Sequence, residues 1–249
     1  MSDILDKINS PEDLKSLSYF ELDKLAAELR REIVKTISLN GGHLASSLGT
    51  IELTLALHRI FHSPQDKIIW DVGHQSYAHK LITGRRDSFS TIRKYGGISG
   101  FPSRQESSYD AFTTGHAGTS ISAALGMALA RDLNKLKYQV VSVIGDGSLG
   151  TGMAFEAINH AGHKGTKLIV VLNDNGMSIS PTLGALSRVL NQVRNDTRYE
   201  SAKIHVKKAF DRLPLGESAL KLSIQAKKGL ERVILPTAFW EEMGFIYLG

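Results

Sequence analysis

The sequence predicts an α/β fold, with a mostly parallel sheet and helices on both of its faces. Two apolar, β-branched runs, residues 140–144 and 168–172, have the length of buried strands, and each ends at a polar turn that contains glycine. Residues 154–163 between them have the composition of a helix. Strand, turn, helix and strand in this order form the crossover unit of a parallel sheet. Both turns are therefore expected at one edge of the sheet, where open α/β sheets bind their ligands.

The composition is that of a soluble globular protein with a sizeable core. The chain has 249 residues, of which 42% are hydrophobic and 22% charged, enough for one large domain or two small ones. It has no cysteine, which excludes a disulfide framework and thiolate chemistry. No apolar run has the length of a transmembrane helix, and the acidic, polar start lacks the order of a signal peptide. We therefore expect a cytoplasmic protein with no membrane partner.

The net charge of +5 does not predict a nucleic-acid partner, because the basic residues are spread along the chain rather than clustered. The densest basic region, residues 203–228, has weak helical patterning and is interpreted as a solvated helix face. The alternative is a basic rim that attracts anionic, phosphorylated substrates.

The two polar turns predict a magnesium and diphosphate site. The first is Gly-Asp-Gly at residues 145–147, and the second is Asn-Asp-Asn at residues 173–175. Asp146 and Asn175 offer a carboxylate and an amide oxygen, and Mg²⁺ takes oxygen ligands together with phosphate and water. The glycines allow close approach of backbone to a phosphate, and the helix that follows directs its N–H groups the same way. The alternative interpretation is a pair of ordinary strand-to-helix turns.

The sequence of this stretch carries a family resemblance. A Gly-Asp-Gly turn followed some thirty residues later by an asparagine-containing turn resembles the diphosphate-binding motif of thiamine-diphosphate enzymes. GDGSLGTGMAFEAINHAG at 145–162 together with VVLNDNGMSIS at 170–180 resembles the 1-deoxy-D-xylulose-5-phosphate synthase family, whose members are relatives of transketolase. The likeness extends from about residue 11 to residue 249. It implies that residues 1–249 are a diphosphate-binding domain that lacks its last helix and strand and the pyrimidine-binding and carboxyl-terminal domains that follow.

The resemblance implies a reaction and its cofactors. Pyruvate would condense with D-glyceraldehyde 3-phosphate, with loss of CO₂, to give 1-deoxy-D-xylulose 5-phosphate for isoprenoid, thiamine and pyridoxal biosynthesis. Thiamine diphosphate and Mg²⁺ would be the cofactors. Asp146, Asn175 and the backbone carbonyl of Met177 would bind Mg²⁺, and Gly147 and Ser148 would line the phosphates. The expected assembly is a homodimer, or a pairing with a chain that carries the pyrimidine-binding domain.

Two histidines lie in turns bordered by glycine. His43 lies in GGHLA, and His74 in DVGHQ, which follows a short strand predicted over residues 67–70. The pKa range of histidine suits proton handling, and its two ring nitrogens suit contact with a diphosphate. The resemblance implies that His43 and His74 face the reacting end of the site, that His74 contacts thiamine diphosphate, and that Ser46 also matches the family pattern. His79 is predicted to lie on a helix with a structural role.

A third glycine-histidine turn opens a helix rich in small residues. FTTGHAGTSI occupies residues 112–121, and the helix is predicted over 121–131 with free N–H donors at its start. The resemblance implies that Gly115, His116 and Ala117 contact the cofactor. Ala117 stands where the family has serine, so only backbone contacts are expected there.

The remaining predictions concern the two ends of the chain. Ser10 is expected to cap a helix that begins at Pro11, and residues 18–38 form an amphipathic helix. A partly irregular or disordered helical segment is expected over about 185–232, followed by a strand at 245–248. Two alternatives to the synthase remain open. One is another transketolase-like enzyme or the amino-terminal subunit of a split one, and the other is a non-catalytic cofactor-binding module.

Overall fold

A parallel sheet of three strands lies at the centre of the fold. The computed structural model describes residues 3–174 and 238–248. Strand β1 (Lys67–Trp70) pairs in parallel with β2 (Val140–Gly145), and β2 pairs in parallel with β3 (Ile169–Asn173). Gly145 lies opposite Asn173, so β2 and β3 end level with each other. The predicted parallel α/β fold is confirmed, and the crossover from residue 140 to residue 173 is formed as expected.

Helices connect and cover the strands. The α-helices of residues 3–174 are α1 (Tyr19–Asn40), α2 (Leu44–Leu48), α3 (Ile51–Ile60), α4 (Tyr77–Lys80), α5 (Ser120–Leu133), α6 (Asp146–Leu149) and α7 (Gly152–Lys164). Shorter turns are the 3-10 helices Leu5–Lys7, Pro11–Ser16 and Phe89–Thr91 and the π-helical turn Leu81–Arg85. None of the described helices is both long and apolar enough to cross a membrane.

Both faces of the sheet are buried, which is why the strands are apolar at consecutive positions. Side chains alternate between the faces of a strand. Trp70 and Val143 pack on one face with Leu57 of α3, and Ile69 packs on the other face with Ala124 of α5. A parallel sheet covered in this way requires strands without polar alternation.

Serine residues cap the amino-terminal helices, at the predicted Ser10 and also at Ser18. Ser18 and Glu21 form a reciprocal capping box at the start of α1, in which the Ser18 N–H donates to the Glu21 carboxylate at 2.8 Å. Ser10 caps Pro11–Ser16, which is a 3-10 helix. The apolar stripe of α1 is buried, and it joins α3 and α4 in one core cluster. These side chains include Leu25, Leu29, Ile33, Ile51 and Tyr77.

The strand predicted at residues 245–248 is wrong. Residues 238–248 belong with 162–165 to a second compact unit. The chain forms the short helix Ala238–Glu242, turns at Gly244 with φ +84°, and continues without regular structure. Ile246 and Leu248 are each 89% exposed. Apolar composition favours a strand only where another strand can pair with it, and no described strand does so here. The segment predicted at about 185–232 lies outside the described residues.

Candidate functional site

The candidate site lies at the carboxyl ends of the strands. The Asp71 N–H donates to the Val143 carbonyl at 2.8 Å, so the turn after β1 leaves the sheet beside the end of β2. Gly145 and Asn173 are paired at the ends of β2 and β3. The turn that carries His74 and the Gly-Asp-Gly turn therefore share one edge of the sheet. The level ends of β2 and β3 are what the crossover pattern predicts.

The structure brings His43 and His74 together. Their ring centroids are 5.5 Å apart in an edge-to-face arrangement. His43 precedes α2, and its backbone N–H donates to the Tyr77 hydroxyl at 3.3 Å. The Ser47 hydroxyl of α2 donates to the His74 carbonyl at 2.9 Å and so joins the two segments. Ser46 is half-buried on the same helix. Two turns separated by thirty residues of sequence thus form one histidine pair.

Each of these histidines has a ring nitrogen with no partner among the described residues. The Nδ1 atoms of His43 and His74 are buried and make no hydrogen bond within residues 3–174 and 238–248. Burial lowers the pKa of His43, and the nearby Arg93 guanidinium lowers it further. Burial also lowers the pKa of His74, as does His43, while Asp71 acts in the opposite direction. Both imidazoles are therefore neutral at pH 7. Buried polar atoms normally have hydrogen-bond partners. The two nitrogens therefore mark a place where a bound ligand would supply the missing partner.

Two residues beside His43 are missing from the sequence predictions. The Phe101 ring lies 5.9 Å from the His43 ring, centroid to centroid. Arg93 is exposed, adopts φ +65°, and lies so close to Gly42 that a Cβ there would be 3.2 Å from its Cδ atom. The signal that could have found them is the dense glycine pattern of residues 96–100, which brings this loop close to its neighbours.

The start of α5 differs from the prediction of free donors. The buried Asp71 carboxylate accepts hydrogen bonds from the Gly118 N–H at 2.9 Å and from the Ser120 N–H at 3.0 Å. These two donors are therefore taken by the protein itself, and the prediction is wrong for them. Its physical reason is that an anionic side chain from the neighbouring turn is itself stabilised at a helix start. Gly115, His116 and Ala117 immediately precede this point and are exposed.

The Gly-Asp-Gly turn leads directly into helix. Gly145 is extended, with φ −84° and ψ 156°, and α6 begins at Asp146. Asp146 and Ser148 are half-buried, and Gly147 is exposed. Among residues 3–174 and 238–248, no three His, Cys, Asp or Glu side chains group together as a metal site would require. The predicted ligand set contains only one such residue, Asp146, and its other members, Asn175 and Met177, lie outside the described residues.

A second polar cluster lies inside the protein. His79 is fully buried, and its Nε2 atom lies 2.8 Å from Asp110 Oδ1 while its Nδ1 atom lies 2.8 Å from His58 Nε2. Because the Asp110 carboxylate only accepts hydrogen bonds, His79 must donate through Nε2. Its Nδ1 atom is then an acceptor, and it accepts a hydrogen bond from the His58 Nε2–H group. The predicted structural role of His79 agrees with this position in the interior.

The fold and this edge of polar turns define the class of protein. The structure is similar to that of a transketolase variant from Pichia stipitis, with a TM-score of 0.54, covering 64% of this chain and 27% of that one. At 23% sequence identity this likeness shows the fold alone, which is that of the transketolase-like α/β proteins. A family model described as 1-deoxy-D-xylulose-5-phosphate synthase matches residues 5–249. The chain belongs to the 1-deoxy-D-xylulose-5-phosphate synthase family.

Individual relatives agree with this assignment. The chain is 61% identical over 249 residues to the 1-deoxy-D-xylulose-5-phosphate synthase of Dehalococcoides mccartyi, covering 100% of this chain and 39% of the relative. It is 57% identical over 247 residues to that of Desulfitobacterium hafniense, covering 99% of this chain and 39% of the relative. The chain thus spans about two fifths of the length of the curated relatives that it matches.

Proposed function

We propose that this chain supplies the diphosphate- and metal-binding part of a 1-deoxy-D-xylulose-5-phosphate synthase. The reaction would condense pyruvate with D-glyceraldehyde 3-phosphate and release CO₂. The observation that supports it most is the pairing of His43 with His74, which follows β1, each with a buried nitrogen that lacks a partner in the part of the chain that the structure describes. Family membership supports the same activity, with its place in isoprenoid, thiamine and pyridoxal biosynthesis.

The described residues fit a bound thiamine diphosphate. Burial of the Nδ1 atoms costs free energy that no hydrogen bond offsets unless a polar group of a ligand reaches them. When bound, the cofactor supplies the ylid on which the carbon chemistry takes place. Asp146, Asn175 and the Met177 carbonyl would hold Mg²⁺, and Gly147 and Ser148 would line the diphosphate.

The turn at residues 115–117 would add further cofactor contacts. Gly115, His116 and Ala117 are exposed at the same edge, and with no hydroxyl at Ala117 the backbone there would make the contact. The Asp71 carboxylate occupies the donors of Gly118 and Ser120. Diphosphate contacts from this segment would therefore not use the N–H groups of Gly118 and Ser120.

The histidine pair would handle protons at the reacting end. A neutral imidazole can take a proton at one nitrogen while it donates from the other, and the lowered pKa values keep both rings in that form. Arg93 adds a positive charge beside His43, and both substrates are anions. The Phe101 ring lies beside the His43 ring and would shield that side of it from water. His43 and His74 are the residues we assign to catalysis.

The remaining parts of the proposal concern assembly. Residues 1–249 would form the diphosphate-binding domain, and a pyrimidine-binding domain would come from further residues of the same polypeptide or from a partner chain. A homodimer in the cytoplasm is the expected state. The isolated 249-residue chain, supplied with Mg²⁺ and thiamine diphosphate, should release no measurable CO₂ from pyruvate. Proton transfer by a positioned group from the absent domain is worth about 10²–10⁴ in rate.

Binding of the cofactor tests the proposal directly. In the full-length protein, Asp146→Ala should abolish Mg²⁺-dependent binding of thiamine diphosphate in calorimetry while the far-UV circular dichroism remains native. Asp87→Ala is the control, because its side chain is 89% exposed and belongs to the surface pair with Arg86. Unchanged cofactor affinity in Asp146→Ala would refute the metal assignment.

Turnover separates the alternatives. A non-catalytic module would bind Mg²⁺ and cofactor but give no product with any partner chain. A different transketolase-like enzyme would be revealed by product analysis with a set of acceptor aldehydes, since the acceptor is selected by loops rather than by the cofactor turns.

A further inference from the structure

We propose that Asp71 is a positioning residue that aligns the three cofactor-binding turns with one another. The inference rests on the proposed function, and it assigns a task to a side chain that need not touch the cofactor. The three turns carry His74, residues 115–117 and residues 146–148. They come from separate parts of the sequence, so a common support is needed to keep them in register.

Asp71 ties its own turn to the sheet and to the segment before α5. Its N–H donates to the Val143 carbonyl of β2, and its carbonyl accepts from Gln75 Nε2 at 3.0 Å. Its carboxylate accepts from Gly118 and Ser120, one donor to each oxygen. The side chain is 1% exposed, so water does not compete for these bonds. Three residues before His74, the backbone is thereby fixed relative to the turn that carries His116.

The second connection runs from Gly118 to the Gly-Asp-Gly turn. A Cβ on Gly118 would lie 1.9 Å from Thr151 Oγ1, so the two segments pack too closely for any residue but glycine at position 118. The Thr151 hydroxyl donates to the Ser148 carbonyl at 2.8 Å. A displacement of Gly118 is therefore transmitted to the turn that ends at Ser148.

A carboxylate is required for this arrangement. Both oxygens accept from backbone N–H groups, and an asparagine would present a donor to one of those N–H groups. The negative charge also lies at the start of α5, a helix of 14 residues, where it is favoured by the helix dipole. A glutamate is one methylene longer, so in this buried site its carboxylate would be displaced from the position that accepts from both N–H groups.

The chain contains a matched control at the opposite end of β1. Asp66 is also buried, and its carboxylate accepts from the His62 N–H at 2.8 Å and from the Gln139 N–H at 2.7 Å. Like Asp71 it joins the end of β1 to a neighbouring segment through two backbone donors. It differs in lying at the amino end of the strand, away from the three turns. Loss of either carboxylate should cost similar stability, and only Asp71 should affect the cofactor.

The experiment compares Asp71→Asn with Asp66→Asn in the full-length protein. Calorimetry with thiamine diphosphate and Mg²⁺ should give a dissociation constant raised about tenfold or more in Asp71→Asn, the size expected for loss of a charge-assisted hydrogen bond. Asp66→Asn should stay within about twofold of the wild type. In steady-state assays the Asp71→Asn effect should appear in the apparent KM for thiamine diphosphate more than in kcat.

Three results would overturn the inference. One is equal weakening of cofactor binding by both substitutions, which would make Asp71 a purely structural residue. Another is unchanged binding in Asp71→Asn while the wild type binds, which leaves the proposed function intact. The third is a wild-type protein that does not bind thiamine diphosphate at all, which refutes the proposed function and this inference together. If Asp71→Asn does not fold, Thr151→Val decides, because it removes only the bond to Ser148 and should weaken cofactor binding more than Asp66→Asn does.

Discussion

Replacement of the buried Asp110 by asparagine should destabilise the protein strongly. The Asp110 side chain is 0% exposed and accepts four hydrogen bonds. They come from His79 Nε2 at 2.8 Å, from Arg85 Nη1 at 2.5 Å and Nη2 at 2.9 Å, and from the Ser103 N–H at 2.7 Å. Burial would raise the pKa of Asp110, but the hydrogen bonds from His79 and Arg85 outweigh it and hold that pKa well below its usual range. The carboxylate is therefore charged throughout the neutral range.

The expected loss follows from these contacts. Removing one partner of a buried ion pair costs about 3–5 kcal/mol, because the remaining charge is left uncompensated. Glu106 lies 3.6 Å from Arg85 and keeps part of the compensation. Asparagine also preserves the shape and one acceptor oxygen. The free energy of unfolding should thus fall by about 3 kcal/mol, at the lower end of that range.

Urea unfolding followed by far-UV circular dichroism at pH 7.5 measures this quantity. Glu52→Gln is the control, because it removes the surface pair with Arg30, whose side chains are 42% and 60% exposed. Exposed pairs contribute about 0.2–1 kcal/mol, so the control should change little. An Asp110→Asn variant that loses no more than the control would refute the energetic role of the cluster. The direction of the pH dependence follows from the lowered pKa. The contribution of Asp110 to the free energy of unfolding is present above the unfolded-state pKa of about 3.9 and is lost as the pH falls below that value.

Three further predictions concern other residues. Burial lowers the pKa of His58 well below its usual value, so the folded state keeps it neutral. In urea titrations its contribution to stability should fall by up to about 1.4 kcal/mol per pH unit below pH 6.5. His43→Ala and His74→Ala in the complete enzyme should each lower kcat about 10²-fold or more without changing the melting temperature. Gly118→Ala should lose about 1–3 kcal/mol in urea unfolding, because Gly118 has φ +79° and its Cβ would collide with Thr151.

Each of these has a control and a contrary outcome. His58→Gln should flatten the loss of stability below pH 6.5, and an unchanged slope would show that other groups cause it. His160→Ala, at an exposed position on α7, should leave kcat near the wild-type value, whereas near-normal turnover in both site variants would make that histidine pair structural. Gly96→Ala has a similar φ of +72° but open space around its Cβ, so it isolates backbone strain from the collision. Equal losses at Gly96 and Gly118 would contradict the close-contact explanation.

Local patterns predicted the strands well, because burial on both faces leaves a direct trace in composition. The runs at 140–144 and 168–172 became β2 and β3 with shifts of one residue, and the shared edge followed from the crossover. The strand at 245–248 failed because apolar residues do not specify which strand they pair with. The helix predicted at 18–38 formed as α1, because an apolar stripe at helical spacing is a local signal.

The sequence could predict which turns form the site, but not the distances between their side chains. His43 and His74 could be selected separately, but their 5.5 Å separation depends on how α2 packs beside the turn after β1. Asp71 lies three positions before His74 in the sequence, yet its partners, Gly118 and Ser120, lie nearly fifty residues away. Charged residues such as Arg85 and Asp110 are normally found at the surface, and these two are far apart in the sequence. Their buried cluster therefore leaves no periodic pattern that could predict it.

The π-helical turn Leu81–Arg85 fixes the number of residues that the chain can have between His79 and Arg85. Thr83 and Gly84 leave helical conformation there, with Gly84 at φ +81°, and the chain turns so that Arg85 reaches the same carboxylate as His79. In a regular helix each residue turns the chain by about 100°, so one residue gained or lost would rotate one of these two side chains away from Asp110. Natural insertions and deletions should therefore avoid residues 79–85 and collect in places such as the Gly96 turn, where the backbone faces open space.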